Sequence, residues 1–482
     1  MAKEFIIAIE LGSSKITGIA GRKNQDGSTS ILAVAQEDST SCIRKGVIYN
    51  IDKTVQSLTN IVKKLETNLK TKIAHVYVGV GGQSIRSVKN VIAKDLPADT
   101  IVDQAMVYEL MDANRSMVYP EQEILDAATQ EYKVDNQYQL DPIGIQCSKL
   151  EGNFLNILWR KNFYRNLNKC FDNAGLAIAD MYLAPLALAD SILTEAEKRS
   201  GCMLVDIGAD TTTVSVYFKN ILRHLAVIPL GSNNITKDIA SLQMEDAEAE
   251  MMKLKYGSAY TDNNDIDNNL MLPIDQDRQV ESRKFVEIVE ARMEEIIENA
   301  WFQVPGEYAD KLLSGIILTG GGSNMPNLVK AFRNHTHIEK IRIAKFVTQT
   351  INSNIPEISA HDGRMNTILG LLEKGDKNCA GEEFTNDLFG GEAKQGPTTA
   401  DLHRNPRPAN ETTGRGIVPT EAEKQKAEEE ARKRKEAEEA EAEEQRRLQE
   451  EEEARKKKEN SMLNRLWRSI KKFSKTVMEE EE

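Results

Sequence analysis

The sequence predicts an α/β protein with two related lobes, followed by a charged tail. Three observations support this prediction. Residues 1–374 alternate apolar, β-rich runs with amphipathic helical runs, a pattern typical of α/β proteins. Two strand–turn–strand segments within this region share one plan, which indicates an internal duplication. Beyond residue 375 the alternation gives way to Gly, Pro, Asn and Thr, and then to almost purely charged sequence.

The first strand–turn–strand segment reads FIIAIELGSSKITGIAG. An apolar strand over residues 5–9 leads to Glu10, then to Gly12 and a small polar turn. Glycine allows backbone N–H groups to approach phosphate oxygens, and turn N–H groups and hydroxyls can donate to them. An acid at the strand end can hold Mg²⁺ directly or through water. Taken alone, the segment also fits an ordinary β-hairpin.

The second segment, CMLVDIGADTTTVSVYF, repeats this plan. A strand over residues 202–205 leads to Asp206 and Gly208, a turn of small polar residues follows, and a second strand begins at Val214. Two such hairpins in one chain predict two related halves that face each other across a polyphosphate site.

A third segment, GIILTGGGSNMPNLVKAF, predicts a strand over residues 315–318, a glycine turn and a helix that begins between residues 324 and 326. Such a turn can pass flat against a nucleoside, and the helix N-terminus adds positive potential. A plain βα turn is the alternative. The chain contains no G-x-x-x-x-G-K-[ST] motif, which excludes a Walker-type phosphate loop.

The tail divides into three parts. Residues 376–418 are predicted to be a flexible linker. Residues 419–460, rich in Glu, Lys, Arg and Ala, are predicted to form a solitary charged helix or an extended tether, with a disordered solubilising spacer as the alternative. Residues 461–478 are predicted to form an amphipathic helix that lies in a membrane interface, with docking onto the protein's own body or onto a partner as the alternative. Its apolar face contains Leu463, Leu466, Trp467, Ile470, Phe473 and Val477, and its cations are Arg465, Arg468, Lys471, Lys472 and Lys475.

Composition excludes several classes. The formal net charge of −13 argues against a general nucleic-acid binder. The N-terminus does not resemble a secretory signal, and no apolar run is long enough to span a bilayer. The five cysteines are widely spaced and are interpreted as free thiols in a reducing cytoplasm. The six histidines form no ligand cluster in the sequence, so a zinc enzyme is not expected.

The order of these motifs resembles the actin-like ATPase superfamily. Other segments resemble one family within it, the bacterial cell-division FtsA family: residues 45–66, 75–85, 130–154, 222–240 and 247–257, together with the tail. The resemblance covers residues 4–375 and the tail. It implies an actin-like, duplicated ribonuclease-H-like fold with an inserted domain termed 1C. The implied domains are 1A (1–85 and 161–198), 1C (86–160), 2A (199–230 and 308–375) and 2B (231–307).

The resemblance also implies a site for ATP and Mg²⁺, with Glu10 and Asp206 near the metal, acting through water. Glu250 and Lys253, three residues apart on one helical face, would contact the ribose and adenine, or form an ordinary ion pair. The implied nucleotide-binding residues are Gly12, Ser13, Ser14, Lys15, Asp206, Gly208, Asp210, Thr211, Thr212, Glu250, Lys253, Gly320, Gly321, Gly322 and Ser323.

Two departures from the superfamily pattern bear on catalysis. Glu10 stands where an Asp is usual, and Ala209 and Asp210 stand where glycines are common. An extra carboxylate repels phosphate unless a cation or water lies between them. No general base is identified, so whether the protein is an enzyme stays open, with at most slow ATP hydrolysis expected.

The function implied by the resemblance is that of a polymerising protein that anchors the FtsZ ring to the cytoplasmic face of the inner membrane at the division septum. Implied partners are the FtsZ C-terminal peptide on 2B, near Lys253, Lys255 and residues 285–304, further copies of the chain, anionic lipids and other division proteins, but no nucleic acid. The alternatives are a scaffold of pilus assembly or cell shape, and a kinase or phosphatase of the same fold. The role of the Asn/Asp-rich residues 260–277 stays open.

Overall fold

The structure is a computed structural model that describes residues 4–383. Most of the predicted linker (residues 384–418), the charged tether (419–460) and the amphipathic helix (461–478) lie outside the described residues. Within residues 4–383, no helix has both the length and the hydropathy needed to cross a membrane. The five cysteines all lie in this part of the chain, where they are buried free thiols, as expected.

Lobe 1 is built on a six-stranded sheet in the order β12-β7-β1-β2-β3-β20. Its elements before and after the inserted domain are β1 (Ile6–Leu11), β2 (Lys15–Lys23), β3 (Thr29–Asp38), β4 (Ile43–Arg44), β5 (Val47–Ile48), α1 (Ile51–Leu69), β6 (Thr71–Ile73), β7 (His75–Val80), α3 (Lys161–Asn173), β12 (Ala177–Leu183), α4 (Ala184–Ile192) and α5 (Glu195–Ser200). The last four elements of the described chain return to this lobe: β20 (Ile351–Asn352), α11 (Pro356–Ser359), α12 (Asn366–Lys374) and β21 (Ala380–Glu383).

The inserted domain contributes three long antiparallel strands, one short strand and one helix. These are β8 (Arg86–Ile101), α2 (Gln104–Arg115), β9 (Gln122–Val134), β10 (Gln137–Gln139) and β11 (Gln146–Arg160). Its sheet does not continue the sheet of lobe 1, although both of its ends connect to that lobe. A single bridge, Arg86 with Ala226, joins it instead to the sheet of lobe 2.

Lobe 2 carries the rest of this nine-stranded sheet, in the order β15-β14-β13-β18-β19. Its elements are β13 (Cys202–Ile207), β14 (Thr212–Phe218), β15 (Ile221–Ile228), α6 (Ser232–Ala240), α7 (Asp246–Tyr256), β16 (Met271–Pro273), β17 (Gln279–Glu281), α8 (Ser282–Phe302), α9 (Gly306–Ala309), β18 (Ile316–Thr319), α10 (Leu328–Thr336) and β19 (Ile341–Ile343). The Asn/Asp-rich residues 260–277 contain a 3₁₀ turn and strand β16.

The predicted duplication is confirmed by the strand topology. In lobe 1, β1, β2 and β3 form an antiparallel meander, and β7 and β12 extend it in parallel beside β1. In lobe 2, β13, β14 and β15 form the same meander, and β18 and β19 extend it in parallel beside β13. Even the register agrees, because Glu10 pairs with Thr17 and Asp206 pairs with Thr213.

The C-terminal boundaries differ from those expected. The family resemblance assigns residues 308–375 to 2A, but α12 packs on lobe 1. There Leu371 lies over Gly79, and Leu372 lies over Gly21. Residues 376–383, expected to begin the linker, belong to the folded unit: Cys379 is buried and β21 pairs with β6. The reason is packing. The apolar face of α12 is buried against the sheet of lobe 1, so the chain crosses back to that lobe after β19.

Candidate functional site

Two carboxylates meet where the lobes face each other. Glu10 and Asp206 occupy equivalent positions near the ends of β1 and β13. Desolvation by burial, together with the smaller effect of the Asp206 charge, raises the pKa of Glu10 to about 8. Burial also raises the pKa of Asp206 to about 6. Desolvated carboxylates with raised pKa values are typical of functional sites, and a nearby cation would restore their charged forms.

The turn of the first hairpin is fixed by the loop that follows β3. The Ser39 hydroxyl donates to the carbonyl of Gly12 over 2.7 Å, and the Ser39 N–H donates to the carbonyl of Ser14 over 3.1 Å. The Ser13 hydroxyl accepts from the Gly46 N–H over 2.8 Å. Lys15 is exposed, and its Nζ lies 3.4 Å from Oε1 of Gln36 on β3.

The turn of the second hairpin is fixed by the start of α6. Ser232 and Asn233 donate their N–H groups to the carbonyls of Gly208 and Ala209, over 3.0 and 2.7 Å. Thr212 is fully buried, and its hydroxyl donates to the carbonyl of Leu230 over 2.9 Å. Within this turn the side chain of Thr211 is partly exposed, whereas the Thr212 hydroxyl is already used in a hydrogen bond inside lobe 2.

Asp210 links the two lobes. One carboxylate oxygen accepts from Nδ2 of Asn233 over 2.8 Å, and the other accepts from the backbone N–H of Lys45 over 3.2 Å. Because Lys45 belongs to lobe 1, this bond crosses the cleft. The sequence analysis gives Asp210 as an implied nucleotide-binding residue whose charge would repel phosphate unless a cation or water lies between them. The fold provides this charge with two hydrogen-bond donors.

The glycine turn after β18 closes the cleft on the side of lobe 2. Gly320 has a φ of +83°, and a Cβ at this position would collide with Oδ1 of Asp206. Ser323 is buried, and its hydroxyl donates to the carbonyl of Gly320 over 2.7 Å.

The helix after this turn begins later than predicted. A 3₁₀ turn spans Gly321–Asn324, and α10 begins at Leu328. The delay follows from the backbone, since Met325 bonds back to Gly322 and Asn327 adopts the left-handed conformation, with a φ of 59°. The predicted helix start at residues 324–326 is therefore wrong.

Glu250 and Lys253 form a network that an isolated surface pair would lack. Their charged groups lie 2.6 Å apart on α7. Thr236, on α6, donates its hydroxyl to Glu250 over 2.6 Å, and Lys253 Nζ donates to this hydroxyl and to the carbonyl of Ser232. Lys253 is only 7% exposed, so its ammonium group holds α7 against α6, whose first residue fixes the second turn.

Two features of the cleft were missed in the sequence. The first is a pair of glycines, Gly81 and Gly82, directly after β7, and Gly82 has a φ of +99°. The pair corresponds in position to the glycine turn that follows β18 in lobe 2. A comparison of HVYVGVGG with GIILTGGG, the strand and glycine turn of lobe 2, would have revealed this pair in the sequence. Arg364 lies against Gly321, with Cγ 3.5 Å from where a Cβ would stand, and no sequence signal marks it.

The arrangement as a whole fits a metal-bound polyphosphate. Two glycine turns flank two carboxylates, and carboxylate oxygens are ligands that Mg²⁺ takes. Of the predicted residues, Glu10, Asp206 and Gly320 are brought together, Asp210 reaches the opposite lobe, and Glu250 and Lys253 stabilise the second turn. The hydroxyls of Thr212 and Ser323 are instead occupied within lobe 2.

Comparisons with known proteins extend this description. Residues 203–363 match the family model "Cell division protein FtsA", and residues 82–158 match that of the SHS2 domain inserted in FtsA. The cell division protein FtsA of Porphyromonas gingivalis is 32% identical over 78% of this chain and 80% of its own length. That of Neisseria meningitidis is 34% identical over 68% of this chain and 81% of its own length.

A solved structure agrees at the level of the fold. The PilM–PilN type IV pilus biogenesis complex contains a chain with a TM-score of 0.54 and 14% identity, over 77% of this chain and 98% of that one. The predicted actin-like fold with an inserted domain is thereby confirmed. The identity and coverage of the relatives decide the family: the chain belongs to the cell division protein FtsA family and has a role in cell division.

Proposed function

We propose that the protein binds Mg·ATP between its lobes, polymerises, and anchors the FtsZ ring to the cytoplasmic face of the inner membrane through residues 461–478. The observation that carries the nucleotide part is the pair Glu10 and Asp206, which meet from equivalent positions of the two lobes with raised pKa values. The amphipathic pattern of the tail carries the membrane part.

Each group has a distinct role at the proposed nucleotide. Glu10 and Asp206 would hold Mg²⁺ through water, and the metal would neutralise the charge of the phosphates. The turns at Gly12 and Gly208 would donate backbone N–H groups to phosphate oxygens. The bond between Asp210 and Lys45 crosses the cleft, so it supports closure of the lobes around the ligand. We assign no general base among the described residues, and we propose that the nucleotide supports assembly.

The membrane part follows from the chemistry of the tail. The apolar face contains a tryptophan, and the opposite face is cationic, with no acid between residues 461 and 478. A single helix of this kind binds reversibly, so assembly of several copies strengthens attachment through avidity.

Removing residues 461–482 is expected to abolish sedimentation with anionic vesicles. The full-length protein should pellet with such vesicles, more strongly with Mg·ATP and less as salt is raised, because binding combines apolar burial with electrostatic attraction. Trp467→Asp and Asn464→Asp make the same charge change on the apolar and the polar face. Only the former should release the protein, and equal pelleting of both variants would contradict a membrane-inserted helix.

The placement of the FtsZ peptide on 2B needs one correction. Lys253 is buried in the α6–α7 network, so it is not available to a peptide. Lys255 is exposed on the same helix, beside Met251 and Leu254, whose exposed fractions are 64% and 76%. This surface, apolar with a cationic edge, remains our proposed contact.

Lys255→Glu is expected to weaken binding of the FtsZ C-terminal peptide about tenfold, since reversing a charge at the edge of an interface replaces attraction with repulsion. Fluorescence anisotropy with a labelled peptide measures the affinity. Lys237→Glu, an exposed residue on α6, provides the same charge change elsewhere in the region. Unchanged affinity in Lys255→Glu, or equal loss in both variants, would move the peptide away from α7.

A further inference from the structure

A cluster of three potential metal ligands lies in lobe 2, formed by residues other than those of the cleft. Glu294 and Glu298 lie one turn apart on α8, and His335 lies in the last turn of α10. Nδ1 of His335 is 3.7 Å from Oε1 of Glu294 and 3.9 Å from Oε1 of Glu298. One ligand atom from each residue lies within 4.8 Å of the other two. The sequence does not indicate this cluster, because His335 lies on a different helix, far along the chain from the two glutamates.

The spacing suits a small transition-metal ion. Around a tetrahedral zinc ion with bonds of roughly 2.0–2.1 Å, ligand atoms lie about 3.3 Å apart. The two His–Glu distances, 3.7 and 3.9 Å, would shorten by about half an ångström. The Glu–Glu distance, which is at most 4.8 Å, would shorten by up to about 1.5 Å through rotation of the exposed side chains. Glu residues at i and i+4 share one helical face, so the backbone of α8 already aligns them. An imidazole ligand favours zinc and its neighbours over Mg²⁺ or Ca²⁺, which prefer oxygen ligands only.

The charges around the cluster also favour a cation. Glu290 lies one turn before Glu294 on α8, and its Oε1 is buried with no hydrogen-bond partner. Burial raises the pKa of Glu290, and the charges of Glu287 and Glu294 contribute to the increase. Like charges at this helical spacing destabilise a helix.

The arginines on these two helices already have other partners. Arg283 pairs with Glu287, Arg292 with Asp238 and Glu295, and Arg333 with Glu339. Within residues 4–383, none of these arginines forms an ion pair with Glu294 or Glu298, so a bound metal ion would supply the cation that balances the two carboxylates.

We propose that Glu294, Glu298 and His335 bind one divalent transition-metal ion of the zinc class, with its remaining coordination filled by water. The imidazole binds through Nδ1, and each glutamate supplies one oxygen. The ion clips the C-terminal end of α10 to α8. The site is separate from the proposed Mg·ATP cleft, whose carboxylates lie on β1 and β13.

The test is zinc titration of untagged full-length protein by calorimetry, with Mg²⁺ present throughout, and Co²⁺ absorption as a second readout of the imidazole ligand. The wild type should bind one ion that His335→Gln fails to bind. The loss of affinity should exceed the about 10–100-fold that removal of an outer-shell partner costs. The five cysteines are buried, so thiols do not compete with this site in the folded protein.

The controls separate ligand loss from misfolding. Glu287→Gln, an exposed change on the same helix outside the cluster, should bind zinc as the wild type does. Zinc should raise the Tm of the wild type and of Glu287→Gln, but not that of His335→Gln. If His335→Gln melts early without metal, Glu298→Gln, at an exposed position, takes its place in the comparison. Equal zinc affinity in the wild type and the ligand variants, or no saturable binding, would overturn the proposal.

Discussion

Gly320→Ala is expected to destabilise lobe 2 and to abolish binding of Mg·ATP. The residue has a φ of 83° and a ψ of 171°, a backbone region that costs an L-residue on the order of 1–3 kcal/mol. The new methyl group would also collide with Oδ1 of Asp206 and the carbonyl of Ile207, both part of the second hairpin. We expect a loss of about 2–4 kcal/mol in the free energy of unfolding, measured by urea denaturation, and at least about tenfold weaker nucleotide binding.

Gly27→Ala separates the two causes. Gly27 has nearly the same φ, +81°, but a Cβ there would meet no atom within 4 Å. This variant should lose only the stability that a positive φ costs an alanine, and it should bind nucleotide normally. If the two variants behave alike in both measurements, the packing of Gly320 against Asp206 does not shape the cleft.

Glu10→Gln is expected to stabilise the nucleotide-free protein at pH 8 and to remove its stabilisation by Mg·ATP. The folded protein raises the pKa of Glu10 from 4.5 to about 8, so the folded state holds this proton more tightly than the unfolded state does. The stability of the wild type therefore falls as pH rises between these two values. At 1.36 kcal/mol per pKa unit, the cost at pH 8 is on the order of a few kcal/mol.

Glutamine has a similar volume and no charge, so this pH dependence should largely disappear in the variant. The pH dependence of stability that remains below about pH 6 should come from Asp206, because burial raises the pKa of that carboxyl as well. Thermal unfolding from pH 5 to 8.5, with and without Mg·ATP, measures both effects. Glu357→Gln, an exposed change, serves as the control. A Glu10→Gln protein that keeps the slope of the wild type, or its stabilisation by Mg·ATP, would exclude Glu10 as a buried metal-site carboxylate.

The local pattern of the sequence was sufficient for the hairpins. The run from apolar strand to acid to glycine identified both turns, and the fold places Glu10 and Asp206 in matching registers. Period-two hydrophobicity and glycine placement depend only on neighbouring residues, so they can be recognised in a single sequence. The Glu250–Lys253 spacing likewise predicted one helical face, and the two residues do pair on α7.

Side-chain environment was harder to predict. Lys253, Thr212 and Ser323 are polar residues in the right segments, yet all three are buried, with their polar groups bonded within lobe 2. A sequence shows which residue can donate a hydrogen bond, but not which acceptor the fold brings to it. The proposed zinc ligands illustrate the same limit, since only the packing of α10 on α8 brings His335 to Glu298.

The sequence by itself determined the duplicated lobes, the acid and glycine of each turn, and the amphipathic pattern of the tail, because each depends on residues close together in the chain. Only the tertiary structure decided that α12 returns to lobe 1, that Asp210 reaches Lys45 across the cleft, and that the inserted sheet joins lobe 2. These features depend on which apolar faces and which donors remain unpaired once the local elements have formed. That balance belongs to the whole fold and to no single segment of the chain.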